Sequence, residues 1–312
     1  MFFKKKPQPD TDIDPDIIVV HKPDPLACGG TYATQRKNAP TEIASQDMTM
    51  FMADSSFTVM VVDINEGEQR IDRLSAYAAP ANGGTFLYLY KGVRYEKRPA
   101  SVALIKADIM PELVRVVNEQ KMATGNGYHS NTAGLPENFG GSVDIRYASG
   151  EQISYSNNQC PIFSYETGQK IIEVFERAMQ SERVALPDVT DLVKIEFDEQ
   201  RKNGGFTKAE LTINADGTGV NKKQSRYEDP KVFESEKPVE AESIEAIKQS
   251  ITGCGILAWN GLPESGYTPL SSKKLTFFFK DGSEVTVPDG LMLPFGISGG
   301  FFNIELEMTT KH

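Results

Sequence analysis

The predicted fold rests on one stretch, Val143-Asp-Ile-Arg-Tyr-Ala-Ser-Gly150-Glu-Gln-Ile153, because its pattern returns 132 residues later as Leu275-Thr-Phe-Phe-Phe-Lys-Asp-Gly282-Ser-Glu-Val285. In both copies, apolar residues recur at alternate positions on either side of a Ser-Gly or Asp-Gly pair. This arrangement is typical of two strands joined by a tight turn, in which glycine supplies a positive φ angle. Each copy therefore predicts a β-hairpin.

The residues around the two hairpins repeat as well. Asn126-Gly127 and Asn260-Gly261 precede them at an offset of 134 residues, and Pro161 and Pro294 follow them at an offset of 133. Drifts of one or two residues are expected where loops accept insertions. The spacing predicts an internal duplication. The alternative is two unrelated domains that both use glycine turns.

Outside the hairpins, β-branched and aromatic runs predict strands, and apolar residues at spacings of three and four predict helices. In the first copy, the predicted strands are Met48–Met52, Phe57–Val62, Thr85–Tyr90, Val143–Tyr147 and Gln152–Tyr155, and the predicted helices are Asp108–Lys121 and Thr167–Met179. In the second copy, the predicted strands are Leu192–Phe197, Ala209–Ile213, Leu275–Phe279 and Glu284–Val287, and the predicted helix is Val239–Ile251. Phe302–Met308 alternates and predicts a strand, although the duplication favours a helix at this place.

The pattern predicts an α+β protein made of two tandem related units, each an antiparallel β-sheet with a helix packed on one face. We assign the units to residues 41–180 and 187–312, with a polar linker over Ser181–Asp188. Residues 1–40 are rich in Pro, Asp, Lys and Gly and predict a disordered or extended N-terminal tail.

Charge and composition restrict the partners. The 33 Lys and Arg against 43 Asp and Glu give a net charge of −10, which excludes nucleic acid because a phosphate backbone needs clustered basic residues. Nowhere do about 18 apolar residues run together, so no membrane contact is predicted. Cys28, Cys160 and Cys254 are scattered and form no CxxC pair, which favours a reducing, cytoplasmic location over disulfides or structural zinc.

One string matches a catalytic motif. Gly296-Ile-Ser298-Gly-Gly300 fits G-x-S-x-G, the turn that presents a nucleophilic serine. The acid and the base would have to come from Glu305, Glu307 and His312, which follow it closely. We interpret the string as a glycine-rich loop and predict no catalytic, cofactor-binding or metal-binding residues, and no cofactor.

Five residues are candidates for an interaction surface. Phe86, Tyr88 and Tyr90 share one face of a predicted strand, and tyrosine is common at interfaces. His129 lies in a predicted polar loop, and Trp259 is the single tryptophan. The alternatives are a strand covered within its own domain, an ordinary exposed histidine and a core tryptophan.

The succession of Trp259-Asn260-Gly261, a strand, Asp281-Gly282, a strand and a Pro-led end resembles an uncharacterised α+β family of bacterial proteins that often carry this unit in tandem. Ser45-Gln-Asp-Met-Thr-Met50 is similar to the start of such units. The resemblance spans about residues 41–312, and the first copy departs from it at Gly125, where the family has an aromatic residue. It implies no activity and no functional residues.

Without an assembled catalytic set, the sequence favours a non-catalytic protein that binds an unknown protein or small ligand in a groove between the two copies. Two alternatives stay open. One is a hydrolase that acts on a sugar or acyl substrate, and the other is a self-assembling structural module.

Overall fold

The structure is a computed structural model that describes residues 16–21, 30–64, 67–92, 99–135, 140–159, 161–227, 231–265 and 271–309. The strands are β1 (Ile17–His21), β2 (Thr31–Arg36), β3 (Met48–Ile64), β4 (Gly67–Ala81), β5 (Gly84–Gly92), β6 (Ser101–Ile105), β7 (Tyr128–Thr132), β8 (Gly141–Tyr147), β9 (Gln152–Asn157), β10 (Leu192–Arg201), β11 (Phe206–Ile213), β12 (Gly219–Arg226), β13 (Phe233–Val239), β14 (Ser271–Phe279) and β15 (Glu284–Pro288). The helices are α1 (Met110–Glu119), α2 (Tyr165–Met179), α3 (Ala241–Cys254) and α4 (Phe295–Thr309).

In the described part of the chain these elements form two sheets with helices, a mixed α and β fold. Sheet one has the order β1-β2-β7-β9-β8-β3-β4-β5-β6, and sheet two has the order β13-β12-β11-β10-β14-β15. The strand pairs are antiparallel except for the short contact of β7 with β9. The last six strands of sheet one, β9-β8-β3-β4-β5-β6, can be compared with sheet two read in reverse, β15-β14-β10-β11-β12-β13. Strands at equal positions in these two series follow one another in the same order along the chain.

The first hydrophobic core lies between sheet one and the helices α1 and α2. Period-two alternation directs Phe51, Leu87 and Ile145 to this side of the sheet, where they meet Leu113 of α1 and Phe175 of α2. These five side chains are fully buried.

The second core lies on the opposite face of sheet one. Here Phe86 and Tyr88 of β5 belong to the same buried cluster as Ile247 of α3, Ile304 of α4 and Phe277 of sheet two. The layers therefore follow the order α1 and α2, sheet one, α3 and α4, sheet two. The part of sheet one formed by β3 to β6 is covered by helices on both faces.

Glycines allow the helices of the second half to approach sheet one closely. Gly255 ends α3 with a φ of +65°, and a Cβ atom placed there would lie 2.5 Å from Cγ1 of Val102. A Cβ atom on Gly296 of α4 would lie 2.1 Å from the hydroxyl oxygen of Tyr88. Only glycine fits these two contacts without movement of a neighbour.

The predicted strand over Phe302–Met308 is wrong, because these residues belong to α4. The helix buries one stripe, formed by Ile297, Phe301, Ile304 and Met308 at spacings of four, three and four. The alternation of Glu305 and Glu307 with apolar neighbours imitates a strand within this stripe.

Two stretches of the predicted N-terminal tail belong to sheet one. Ile17–His21 pairs with Thr31–Arg36, which in turn pairs with β7. Their β-branched residues find partners in a distant part of the chain, and composition alone does not show this. The predicted linker also touches the sheet, because the amide of Val184 donates to the carbonyl of Leu104 at 2.9 Å.

Candidate functional site

The structure places three of the five predicted surface residues in the second core. Phe86, Tyr88 and Trp259 are 0%, 3% and 1% exposed, so they present no surface to a partner. The face of β5 that carries Phe86 and Tyr88 is instead covered by α3 and α4 of the same chain. Tyr90 is partly buried at the margin of this contact.

His129 lies in strand β7 and not in a loop. It occupies one end of a cross-strand series of polar residues that we call the polar row, which continues through Ser156, Ser142, Asp54 and Ser75 to Tyr90. The polar row shares the face of sheet one that carries Phe86 and Tyr88. Tyr90 and His129 therefore lie on one face of the sheet but five strands apart.

Two side-chain contacts involve the polar row: Asp54 pairs with Arg73, and His129 contacts Ser156. Nη2 of Arg73 lies 2.7 Å from Oδ1 of Asp54, and burial raises the pKa of this carboxyl in spite of the guanidinium. Nδ1 of His129 lies 2.9 Å from Oγ of Ser156, and burial lowers the pKa of His129 while Asp144 opposes the shift. Among the described residues no carboxylate hydrogen-bonds the imidazole, as a triad requires.

The G-x-S-x-G string forms the start of α4 and not a loop. Its outer glycines have packing roles, because Gly296 lies against Tyr88 and a Cβ atom on Gly300 would lie 2.4 Å from Sγ of Cys254. Ser298 lies inside the helix rather than on the sharp strand-to-helix turn of that motif. Ser298 and Glu305 nevertheless line one common pocket.

We call this cavity the α4 pocket. Its volume is about 200 Å³, and it lies between α4 and the strands β14 and β15. Ser298, Phe301 or Phe302, and Glu305 recur along α4 at helical spacing, so the helix turns one stripe toward it. Its apolar wall is formed by Trp259, Leu291, Leu293, Phe301 and Phe302, and its polar groups are Lys273, Asp289, Ser298 and Glu305.

The hairpin of β14 and β15 positions the polar groups of the α4 pocket. The amide of Lys273 donates to Oδ1 of Asp289 at 3.0 Å, and the amide of Asp289 donates to the carbonyl of Lys273 at 2.9 Å. The next residue, Gly290, has a φ of +75°, and its carbonyl accepts from the amide of Ser265 at 2.8 Å. This loop is thus tied to the chain on both sides.

The charges of the α4 pocket do not balance. Nζ of Lys273 lies 2.7 Å from Oε1 of Glu305, and Arg201 pairs with the buried carboxylate of Glu199 close by. Asp289 forms no ion pair with any described residue. Burial raises the pKa of the Asp289 carboxyl and Glu199 adds to the shift, whereas the backbone amide and the charge of Lys273 lower it.

Trp259 forms the floor of the α4 pocket. Its indole Nε1 donates to the carbonyl of Cys254 at 3.1 Å, which fixes the ring at the end of α3. Burial raises the pKa of the Cys254 thiol to about 11, so this sulfur stays protonated at neutral pH and is a poor nucleophile.

A wider depression of about 620 Å³ lies on the face of sheet two opposite α3 and α4. We call this surface the outer face of sheet two. Its charges largely satisfy one another across the strands: Lys208 lies 3.9 Å from Asp198, and Lys222 lies 3.9 Å from Glu236. Such a ladder is typical of a solvated sheet surface.

No protein-family model matches this chain, and no curated protein matches its sequence. The resemblance to a tandem bacterial family therefore stays a prediction. In the described residues, no three His, Cys, Asp or Glu side chains come together as a metal site needs. The helices that the structure describes include none long and apolar enough to cross a membrane.

Sequence reasoning named Trp259 but missed Lys273 and Asp289. These two residues are 16 positions apart and meet only because β14 and β15 form a hairpin. The hairpin was predictable from Asp281-Gly282, and its register then places Lys274 opposite Pro288, next to both residues. The convergence of α4 on them was not predictable, since residues 296–300 were predicted as a loop and residues 302–308 as a strand.

Proposed function

We propose that this chain is a non-catalytic binding protein and that its ligand site is the α4 pocket. The observation that carries the proposal is a cavity with aromatic and aliphatic walls on which Lys273, Asp289 and Glu305 converge. Small-molecule sites typically combine an apolar wall with a few placed polar groups. The ligand is small, because about 200 Å³ lies below the roughly 300–1,000 Å³ of sites for drug-sized molecules.

The site is part of a proposed duplication, with related units at residues 41–180 and 187–312 and the segment before residue 41 as an N-terminal extension. The shared chain order of the six matched strands in each sheet supports this proposal. So does the position of one helix in each half, since α1 lies between β6 and β8 and α3 lies between β13 and β14. The two halves share the second core, so we propose units of sequence and not independently folding domains.

A ligand-observed NMR screen with a library of small molecules tests the binding function. We expect small molecules whose NMR binding signals disappear with Ser298→Phe and remain with Ser298→Ala. The phenylalanine fills the pocket from an exposed helical position, whereas the alanine leaves it open. Binders that survive Ser298→Phe would place the site elsewhere. A screen without binders would reject the proposal.

A hydrolase is the second candidate, favoured by the presence of Ser298 and Glu305 in one pocket. The test uses chromogenic acyl esters and glycosides. A hydrolase would show turnover that Ser298→Ala abolishes. A non-catalytic binding protein would hydrolyse these substrates no faster than the Ser298→Ala variant does.

The net charge of −10 supports a protein or small-molecule partner rather than a nucleic acid. A reducing, cytoplasmic location fits the buried free thiol of Cys254. Tagged protein and fractionation of the source cell test this location.

A further inference from the structure

The chemical class of the ligand can be argued from the charges of the α4 pocket. Two carboxylates, Asp289 and Glu305, face one ammonium group, that of Lys273. Behind them, Glu199 and Arg201 add one charge of each sign. The formal sum of these five groups is −1.

The excess negative charge resides on Asp289. Glu305 has its partner, because Nζ of Lys273 lies 2.7 Å away, and both side chains are mostly buried, at 16% and 24% exposure. Asp289 accepts a hydrogen bond from a backbone amide at 3.0 Å, and the nearby charge of Lys273 is shared with Glu305. A partly buried carboxylate that shares one cation with a second carboxylate is incompletely neutralised, so a further positive charge placed beside it is stabilised.

The walls of the pocket restrict the kind of cation. A metal ion prefers several oxygen ligands, whereas Phe302 offers an exposed aromatic ring and Leu291 and Leu293 offer aliphatic surface. Phe302 is 58% exposed and lines the cavity, so its ring stands at the mouth. Aromatic faces attract organic cations.

We propose that the α4 pocket binds a small organic cation, in which an ammonium group pairs with the Asp289 carboxylate and an aromatic or aliphatic body lies against the exposed ring of Phe302. This inference rests on the proposed function, since it names the ligand class of the same pocket. An anion of the same shape would meet two carboxylates and is excluded.

Three probes of similar size and different charge test the inference: benzylammonium, benzyl alcohol and benzoate. Trp259 is the single tryptophan of the chain, so its fluorescence reports the floor of this pocket alone. We expect benzylammonium to bind at least about tenfold more tightly than benzyl alcohol, in the range of one charge-assisted hydrogen bond, and benzoate to bind most weakly.

Variants then assign the selectivity to its source. Asp289→Asn keeps the oxygen that accepts from Lys273 and should remove the tenfold preference while it leaves the affinity for benzyl alcohol within about twofold. Adding Glu305→Gln leaves Lys273 in excess and should make benzoate the preferred probe. Glu245→Gln removes a charge from an exposed position of α3 and should change nothing.

The outcomes separate this inference from the proposed function. If the library screen finds binders in the pocket but the three probes bind equally, or benzoate binds best to the wild type, the ligand class is wrong and the binding function stands. If neither the screen nor the probes detect binding, both proposals fail.

Discussion

Gly255→Ala tests the contact on which the layered architecture depends. Gly255 ends α3 in the left-handed region, and a Cβ atom there would lie 2.5 Å from Cγ1 of Val102 and 3.7 Å from Cε2 of Phe86. Val102 and Phe86 belong to sheet one, so the clash crosses from one half of the chain to the other.

Two costs add in this variant. A non-glycine residue in the left-handed region costs about 1–2 kcal/mol. Overpacking against Val102 costs a further 1–3 kcal/mol or so, because this partly buried side chain is packed against the second core. The expected loss in the free energy of unfolding is therefore about 2–5 kcal/mol.

Gly282→Ala is the matched control. Gly282 has a φ of +84°, and a Cβ atom there would meet nothing within 4 Å, so only the backbone cost of about 1–2 kcal/mol applies. Urea unfolding followed by Trp259 fluorescence and circular dichroism compares the two variants. In a Val102→Ala background, Gly255→Ala should cost no more than Gly282→Ala. Equal costs in the wild-type background would show that α3 does not lie against sheet one as described.

Three further predictions concern side chains outside the α4 pocket. The buried side-chain amide of Asn126 hydrogen-bonds the backbone of Pro40, Gln152 and Ser154 within 2.9 Å. Asn126→Ala should therefore lower the free energy of unfolding by about 2–4 kcal/mol in urea titrations. Asn260→Ala is the control and should cost far less, because the Asn260 side chain has no such contacts in the described part of the chain. Burial lowers the pKa of His129, so the unfolded chain binds this proton more tightly. Stability should therefore fall as the pH drops through about 6.5, and His129→Gln should flatten that part of a urea-midpoint profile between pH 5 and 8. With a thiol pKa of about 11 instead of 9.0, native Cys254 should react with iodoacetamide about a hundredfold more slowly at pH 8 than in urea, measured in a variant whose other two cysteines are serine.

The elements with strong periodicity were predictable from the sequence. The two hairpins, with strands at 141–147, 152–157, 271–279 and 284–288, are confirmed, as are the helices α1, α2 and α3 within a few residues. Each combines a regular apolar pattern with glycine or proline punctuation, and both signals are local.

Polar strands were missed because their pairing is not local. Strands β12 and β13 are rich in Lys, Glu and Ser, and β7 consists mostly of polar residues. They become strands because a neighbour supplies backbone hydrogen bonds, and β13 even accommodates Pro238 because it is an edge strand. Composition does not reveal such a neighbour.

The α4 pocket was beyond prediction for a related reason. Its polar groups come from β14, the loop after β15 and α4, and their convergence depends on how α4 crosses the hairpin. The glycines at 296, 299 and 300 made the helix resemble a loop, although Ile297, Phe301, Ile304 and Met308 already carried a helical stripe. The periodicity over residues 297–308 taken together indicates the helix, but it does not indicate where the helix packs against the β14–β15 hairpin.

The contrast between one face of sheet one and the outer face of sheet two explains why the layers end where they do. On sheet one, Phe86 and Tyr88 face α3 and α4, and they are apolar or aromatic because a helical layer covers them. The outer face of sheet two has Glu196, Asp198 and Lys208, which solvent must hydrate.

A third layer of helices on the outer face of sheet two would have to bury this charge ladder, and the cost of desolvating paired charges opposes that. The outer face of sheet two is thus unsuited to pack against the helices of a second copy in the way that sheet one packs against α3 and α4. The charge ladder therefore argues against self-assembly through this face, and it agrees with the proposal that the ligand site is the α4 pocket, where Asp289 and Glu305 share the charge of Lys273.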